Sequence, residues 1–302
     1  MNDNSSTGAT AAHDDGAVRG HVVVGVDGSP ISDLATHRAA DEAALRHVPL
    51  EVMHVVDRVP ADGDEDRAAR LRQEARILVG DAAERARRRR PELEVVTTVA
   101  LAPTIPTLEE ACERAALVVL GSRGRGGFAG LLLGSVSLSV AASSRCPVLI
   151  VHARHGNAPA DEPGTVVVGV SDFDCHPAVE AAFVAAQARG VPLRALHAWT
   201  PPVSPAAPYA APLWSGDEGR RAAEATLGAA LAPFVDKYPE VSVTEQVVCD
   251  IPTHALLSAT DEADLIVLAA HRRHGRFGPN LGHVAHALLH HSKAPVLLIP
   301  ID

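Results

Sequence analysis

Residues 21–27 read HVVVGVD, and residues 165–171 read TVVVGVS. A short run of β-branched residues that ends in a turn is typical of a strand buried on both faces of a parallel sheet. The two stretches lie 144 positions apart (165 − 21) and share one pattern of apolar and small residues. They predict the first strands of two related domains.

Two further pairs of apolar stretches repeat at nearly the same distance. LVVLG at 117–121 matches LIVLA at 265–269, and CPVLIV at 146–151 matches APVLLI at 294–299. Both offsets are 148 (265 − 117 and 294 − 146), so the second copy carries a short net insertion. A repeat of this length predicts two copies of one domain, and 302 residues are enough for each copy to bury its own core.

Strand patterns alternate with helix patterns in both halves. In the first half, helices are predicted over 31–47, 64–90 and 107–114 and from Ser135 onward, and Ser29 is predicted to cap the first of them. Such alternation indicates an α/β fold with a parallel sheet and right-handed crossovers. Five strands per half predict two tandem doubly wound, Rossmann-like domains, whose ligands would lie beyond the carboxyl ends of the strands.

The composition divides the chain into four segments. Residues 1–20 are polar and are predicted to form a disordered tail, residues 21–152 the first domain, residues 153–164 a linker and residues 165–302 the second domain. A Pro- and Ala-rich insertion at 200–216 is interpreted as a surface loop, with a lid or a partner-docking loop as the alternative.

The charge and the cysteines limit the classes of function. A net charge of −10 argues against a nucleic acid partner, because phosphate neutralisation needs a basic face. No apolar run approaches the roughly 20 residues of a membrane span, and four scattered cysteines predict reduced thiols in the cytoplasm. The basic run from Arg85 to Arg90 is interpreted as a solvated helix C-terminus, and an anion or protein dock is the alternative.

A glycine-rich loop follows the strand at 117–120 and ends at a predicted helix start; residues 121–137 read GSRGRGGFAGLLLGSVS. Glycines permit positive φ and a close backbone approach to a ligand. Gly134 and Ser135 would present unpaired N–H groups at a helix N-terminus, which suits phosphate oxygens, and Arg123 and Arg125 could add charge-assisted hydrogen bonds. The Walker and dinucleotide fingerprints are both missing, so a phosphate site and a plain connection remain alternatives.

The spacing Gly121-x2-Gly124-x9-Gly134-Ser135 resembles the ATP-binding signature of the universal stress protein family. The flanks resemble it too, with VVVGVDGS at 22–29, HVVD at 54–57 and SRCPV at 144–148. Because the resemblance covers both halves, the chain looks like a tandem member of that family. The resemblance implies that the two fifth strands pair in an internal pseudo-dimer, and it allows a further homodimer of two chains.

The resemblance also implies an ATP-binding regulatory protein of the stress response. In the family, the aspartate after the first strand contacts the nucleoside, and the backbone after the second-strand histidine reaches the adenine. The glycine loop and its serine hold the triphosphate, usually with Mg²⁺. Carried over to this chain, the expected cofactor-binding residues are Gly25, Val26, Asp27, Val55, Gly121, Ser122, Arg123, Gly124, Gly134, Ser135, Val136 and Ser137.

The second copy departs from this pattern. By the two offsets, Asp27 becomes Ser171, Gly121 becomes Ala269, Gly124 becomes Arg272 and Ser135 becomes His283, whereas Gly134 remains glycine as Gly282. We expect ATP binding there to be weak or absent, although the arginines of the loop could still hold an anion. Six histidines also crowd this region, at positions 271, 274, 283, 286, 290 and 291. They are interpreted as solvated or interface residues, because a metal site needs three or four convergent ligands.

No catalytic residue is predicted. The sequence has no nucleophile elbow and no triad pattern, and only His54 or Asp57 could position an attacking water beside the phosphates. ATP hydrolysis is therefore expected to be slow or absent, and ATP could instead order the loop at 123–133 to present a surface to a protein partner. The alternatives are a scaffold that binds no nucleotide and, last, an ATP-cleaving enzyme of the sulfur- or amide-forming type, whose Ser-Gly-Gly-x-Asp-Ser loop is missing.

Overall fold

The fold was obtained as a computed structural model that describes residues 20–57, 65–125, 133–153, 164–171, 174–201, 216–271, 273–275 and 278–301. The predicted tail up to residue 19, most of the linker, most of the insertion at 200–216 and the loop at 126–132 lie outside the described residues.

Among the described residues, each half contributes five long strands and four helices, and the second half also contains two short strands. The first half consists of β1 Val22–Gly25, α1 Pro30–Arg46, β2 Leu50–Val55, α2 Glu65–Arg89, β3 Val95–Ala100, α3 Thr104–Arg114, β4 Leu117–Gly121, α4 Ser135–Ser143 and β5 Val148–Val151. The second consists of β6 Thr165–Val170, α5 His176–Arg189, β7 Leu193–Trp199, α6 Gly216–Val235, β8 Val243–Cys249, α7 Pro252–Ala259, β9 Ala263–His271, the short strands β10 Arg273–Gly275 and β11 Gly278–Asn280, α8 His283–His291 and β12 Val296–Ile301.

The ten long strands form one sheet in the order β3-β2-β1-β4-β5-β12-β9-β6-β7-β8. Neighbours within each half are parallel, and the switch in strand order lies between β1 and β4 and between β6 and β9. The halves join where β5 and β12 pair antiparallel, with Leu149 opposite Leu297. This arrangement confirms the predicted α/β fold and the internal pseudo-dimer.

The strand registers support the residue equivalences that were derived from the repeat. Val24 pairs with Val119 in the first half, and Val168 pairs with Val267 in the second, as the offsets of 144 and 148 require. Gly121 lies opposite Val151, and its counterpart Ala269 lies opposite Ile299. The two copies can therefore be compared position by position.

Helix α1 begins as predicted. Ser29 has extended backbone angles, its hydroxyl accepts a hydrogen bond from the N–H of Ser32 at 3.2 Å, and Pro30 is the first helical residue. A hydroxyl acceptor at this position satisfies one of the N–H groups that the first turn leaves unpaired. Helix α1 then packs on the sheet beside α2, within the apolar layer that covers this face of both halves.

Two local predictions were wrong. Helix α3 begins at Thr104 rather than at residue 107, because Pro106 is in the first turn, where a missing N–H costs no intrahelical hydrogen bond. The region after β9 was expected to be a loop, but β10 and β11 form a two-stranded antiparallel ribbon with Gly275 opposite Gly278. This ribbon contacts α4 of the first domain through β11.

A buried charge cluster lies where α1 and α5 meet across the domain junction. The Glu42 side chain is almost wholly buried and forms ion pairs with Arg46, with Arg189 of the second domain and, at 3.1 Å, with Arg38. Burial alone would raise the pKa of Glu42, but the three guanidinium groups, Arg189 foremost, lower it to about 2. Burial lowers the pKa of Arg189, and repulsion from the other two arginines adds to this effect.

The basic run at the end of α2 is paired with carboxylates of its own domain. Arg89 and Arg90 both bind Asp41, at 2.8 and 2.9 Å, and Arg88 lies 3.7 Å from Glu84. The Asp41 hydrogen bond raises the pKa of Arg89. These pairs favour the interpretation as a solvated helix terminus over an anion dock.

Candidate functional site

A cavity of about 510 Å³ opens at the carboxyl ends of β1, β2 and β4, beside the N-terminus of α4. All of the predicted site residues except Ser122 line it, namely Gly25, Val26, Asp27, Val55, Gly121, Arg123, Gly124, Gly134, Ser135, Val136 and Ser137. The cavity lies at the switch in strand order, where ligands of doubly wound sheets bind.

Ser122 shapes the loop rather than the cavity wall. Its side chain is buried, its N–H donates to the carbonyl of Val151 at 2.7 Å, and its carbonyl accepts the N–H of Gly134 at 2.7 Å. These two hydrogen bonds fix the end of β4 to β5 and to the start of α4. Ser122 therefore holds in place the backbone that carries the other loop residues.

The Asp27 carboxylate joins the loops that follow β1 and β4. One oxygen accepts the N–H of Ser29 at 3.0 Å, and the other accepts the N–H of Arg125 at 2.6 Å. A carboxylate has about four acceptor positions, so Asp27 retains acceptor capacity for hydroxyl or amino donors of a ligand. Its position at the cavity wall puts that capacity beside the glycine loop.

The glycines of the loop are needed for close approach rather than for positive φ. A Cβ on Gly124 would lie 2.6 Å from the Asp27 carboxylate, and a Cβ on Gly121 would lie 2.7 Å from the side chain of Ile31. Gly134 has φ of −76°, and neither Gly121 nor Gly124 has a positive φ. None of these three glycines uses the positive φ that glycine permits, whereas the absence of a side chain is required at Gly121 and Gly124.

The N-terminus of α4 faces the cavity without a side-chain cap. Gly134 is the N-cap residue, and the first N–H that bonds back to it is that of Leu138, at 3.0 Å. The N–H groups of Ser135, Val136 and Ser137 precede that bond, and the helix dipole adds partial positive charge at the same point. Such a helix start binds phosphate or carboxylate oxygens.

Ser137 links the start of α4 to the end of β4. Its buried hydroxyl donates to the carbonyl of Gly121 at 2.7 Å, which ties α4 to the end of β4. Ser137 also lines the cavity, so it both borders the site and positions the strand and the helix relative to each other.

Several cavity residues were missed in the sequence. Met53, Leu108 and Leu120 form an apolar wall with Val55, and the remaining lining residues are Ser32, His54, Thr104, Arg125 and Leu133. The apolar residues read as ordinary core positions, so only the pairing of β1 with β2 and β4 brings them to the site. The sequence analysis predicts charge-assisted hydrogen bonds from Arg125 but does not place it among the cofactor-binding residues.

The two residues considered for water activation have other partners. The Nδ1 of His54 lies 2.6 Å from the carbonyl of Val26, and His197 makes the equivalent contact with Val170 at 2.9 Å in the second domain. Asp57 accepts the N–H of Thr104 at 3.3 Å and does not line the cavity. The repeated histidine contact indicates a structural role in holding adjacent strand ends together.

His152 ties the end of β5 to the second domain. Its Nε2 lies 2.9 Å from the carbonyl of Leu289 on α8. Burial lowers the pKa of His152, and the positive charge of Arg123 contributes to the same direction. His152 is therefore neutral at neutral pH. The guanidinium groups on the cavity wall belong to Arg123 and Arg125.

The model of the family described as "Universal stress protein family" matches residues 19–152 and 163–300. The chain belongs to the universal stress protein family. Universal stress protein Rv2005c of Mycobacterium tuberculosis is 36% identical over 286 residues, which are 92% of this chain and 96% of the relative. Universal stress protein Rv1996 of the same organism is 36% identical over 307 residues, covering 93% of this chain and 96% of the relative. A crystal structure of a universal stress protein from Archaeoglobus fulgidus has the same fold, with a TM-score of 0.69 at 18% identity, covering 92% of this chain and 98% of that chain.

The second domain of this tandem universal stress protein differs at the equivalent positions. Ser171 replaces the aspartate, and β9 continues past Ala269 to His271, so strand geometry extends to where the first domain has its loop. The loop itself contains the β10–β11 ribbon instead of the glycine-rich segment. The two domains therefore share a fold but differ in sequence and local structure at these positions.

The described residues hold neither a cluster of metal-ligating side chains nor a membrane-spanning helix. Within the described ranges, no group of three or more His, Cys, Asp or Glu side chains is arranged to hold a metal ion. In the same part of the chain, every helix is too short or too polar to cross a membrane. All four cysteines are free thiols; Cys249 is exposed and the other three are buried.

Proposed function

We propose that the first domain binds an adenine nucleotide, ATP with Mg²⁺, and that the chain is a nucleotide-dependent regulatory protein of the stress response. The observation that carries this proposal is the composition of one cavity. It combines an apolar wall, a carboxylate at Asp27 and an uncapped helix N-terminus at Gly134 and Ser135. An adenine nucleotide has the matching order of parts, namely a flat base, a ribose with hydroxyl donors and an anionic phosphate chain.

In the proposed complex the base packs on Met53, Leu108 and Leu120 and meets the backbone at Val55. The ribose hydroxyls or the amino group donate to Asp27, and the phosphates lie against the glycine loop and the first turn of α4. The fit depends on Gly124, since a Cβ there would fill the space next to the Asp27 carboxylate. Phosphate oxygens and the Ser135 hydroxyl would hold the Mg²⁺ ion, which takes oxygen ligands.

We expect little or no ATP hydrolysis. His54 and Asp57 are engaged in contacts that hold the fold, and hydrolysis requires a group that positions the attacking water. We therefore propose a binding module that signals through a protein partner in the cytoplasm. A homodimer of two chains remains part of this proposal.

The test compares one substitution in each copy. Asp27→Ala removes the carboxylate from the cavity, and Ser171→Ala removes the hydroxyl at the equivalent position of the second domain. Loss of a charged hydrogen bond costs about 1.5–3 kcal/mol, so the affinity for Mg-ATP in calorimetry should fall roughly 10- to 100-fold in Asp27→Ala. Ser171→Ala should retain the affinity of the unchanged protein.

Native mass spectrometry adds the stoichiometry. One nucleotide per chain is expected, and binding should be reduced in Gly124→Ala. It should be retained in Gly282→Ala, since a Cβ at Gly282 meets no atom of the described residues within 4 Å. Two nucleotides per chain would contradict the assignment to the first domain alone. No nucleotide at saturating Mg-ATP would refute the proposal and favour a scaffold that acts through proteins only.

A further inference from the structure

Two histidines on α8 form a pair that has no counterpart in the first domain. His286 and His290 are four residues apart on one helix face, and their ring centroids are 4.5 Å apart. By the offset of 148, the equivalent positions on α4 are Leu138 and Ala142. Two apolar residues of one copy thus correspond to two imidazoles in the other, which packing alone does not require.

One ring nitrogen of His290 lacks a hydrogen-bond partner among the described residues. This nitrogen, Nε2, is buried. A buried nitrogen without a partner costs free energy, which a bound ion or a donor would recover.

We propose that His286 and His290 chelate one divalent transition-metal ion, with water in the remaining coordination positions. Imidazole nitrogen favours Cu²⁺, Ni²⁺ and Zn²⁺ over Mg²⁺ and Ca²⁺, which take oxygen ligands. Two ligands at helical spacing are enough for such a chelate. The three or four convergent ligands named in the sequence analysis are those of a closed structural site. The ring of His286 is exposed, and the Nε2 of His290 beside it is buried.

Neighbouring histidines supply a matched control. His291 is adjacent in sequence and its ring centroid is 6.1 Å from that of His290, but it is not one helical turn from either histidine of the chelate. His291 and His286 are both exposed, so replacing either one leaves the core intact. The site is also independent of the nucleotide cavity, which belongs to the first domain.

The experiment uses the full chain without an affinity tag. Calorimetric titration with NiCl₂ and ZnCl₂ should give one ion per chain. The variants His286→Asn and His290→Asn should each bind at least about tenfold more weakly, because one of two protein ligands is removed. The His291→Asn variant should bind as the unchanged protein does. Affinity should follow the order Cu²⁺ above Ni²⁺ and Zn²⁺.

Electron paramagnetic resonance with Cu²⁺ distinguishes the ligands directly. Hyperfine structure from two nitrogens is expected in the unchanged protein and from one nitrogen in His286→Asn, with circular dichroism to show that the fold is retained. The proposal is overturned if Ni²⁺ does not bind at about millimolar concentration. It is also overturned if His291→Asn weakens binding as much as His286→Asn does.

Discussion

The buried carboxylate of Glu42 leads to a quantitative prediction about stability. Its pKa is lowered from 4.5 to about 2, which corresponds to roughly 3 kcal/mol of stabilisation at neutral pH, since one pKa unit is about 1.4 kcal/mol. Glu42 is 1% exposed, so solvent screening does not reduce this value. The variant Glu42→Gln removes the charge and leaves three guanidinium groups around a neutral amide, which should destabilise the fold by at least that amount.

The pH dependence of this loss identifies its cause. The unfolded carboxylate takes up a proton near pH 4.5 and the folded one only near pH 2, so the stabilisation is present above about pH 5 and falls between these values. The part of the loss in unfolding free energy that comes from this titration should therefore shrink to about half near pH 3.3. Urea denaturation followed by circular dichroism at neutral and acidic pH measures it as a change in midpoint.

Two further variants sharpen the test. Glu180→Gln removes an exposed carboxylate that pairs with Lys237, and it should leave the urea midpoint unchanged within error. Arg189→Met should cost less than Glu42→Gln, because it also relieves repulsion on Arg38 and Arg46. The reasoning is refuted if Glu42→Gln loses less than about 1 kcal/mol at neutral pH, or if its loss is the same at acidic pH.

Two other predictions concern packing and thiols. Gly219→Ala should lower the melting temperature, because a Cβ there would overlap the ring of Trp199. In the same helix, a Cβ at Gly228 meets none of the described residues, so Gly228→Ala should stabilise the fold by up to about 1 kcal/mol. Equal melting temperatures of the two variants would contradict this. An aromatic disulfide reagent should react rapidly with one thiol of the native protein, Cys249, and with all four after unfolding, and rapid reaction of two or more native thiols would show that the burial of the others is wrong.

The sequence was sufficient for the fold because each strand is a short apolar run and the whole pattern is repeated. Unbroken apolar runs indicate strands that are buried on both faces of a sheet, and the repeat predicts each element twice, independently. The Ser29 cap could be predicted because its hydrogen bond is local. The ribbon at β10 and β11 could not be predicted, since a stretch rich in arginine and histidine has no strand periodicity.

The site was predictable only in part. The glycine spacing indicated the loop, but the reason for Gly124 lies in the carboxylate of Asp27, which is 97 residues away in the chain (124 − 27). The hydroxyl of Ser137 bonds to Gly121, a partner that only the fold brings near. The charge cluster at Glu42 depends on Arg189 of the other domain, and no local pattern joins two such positions.

The antiparallel pairing of β5 and β12 has a consequence for how the two copies can diverge. When two identical subunits meet through their fifth strands, assembly depends on protein concentration, and every substitution appears in both partners at once. Here one polypeptide carries both strands, so the partner is always present at a high effective concentration. A mutation in one half then leaves the other unchanged. Such a chain can replace the aspartate and the glycine in its second copy, where Ser171 and Arg272 stand, and retain Asp27 and Gly124 in its first. The twofold arrangement of strands that supports both copies is kept.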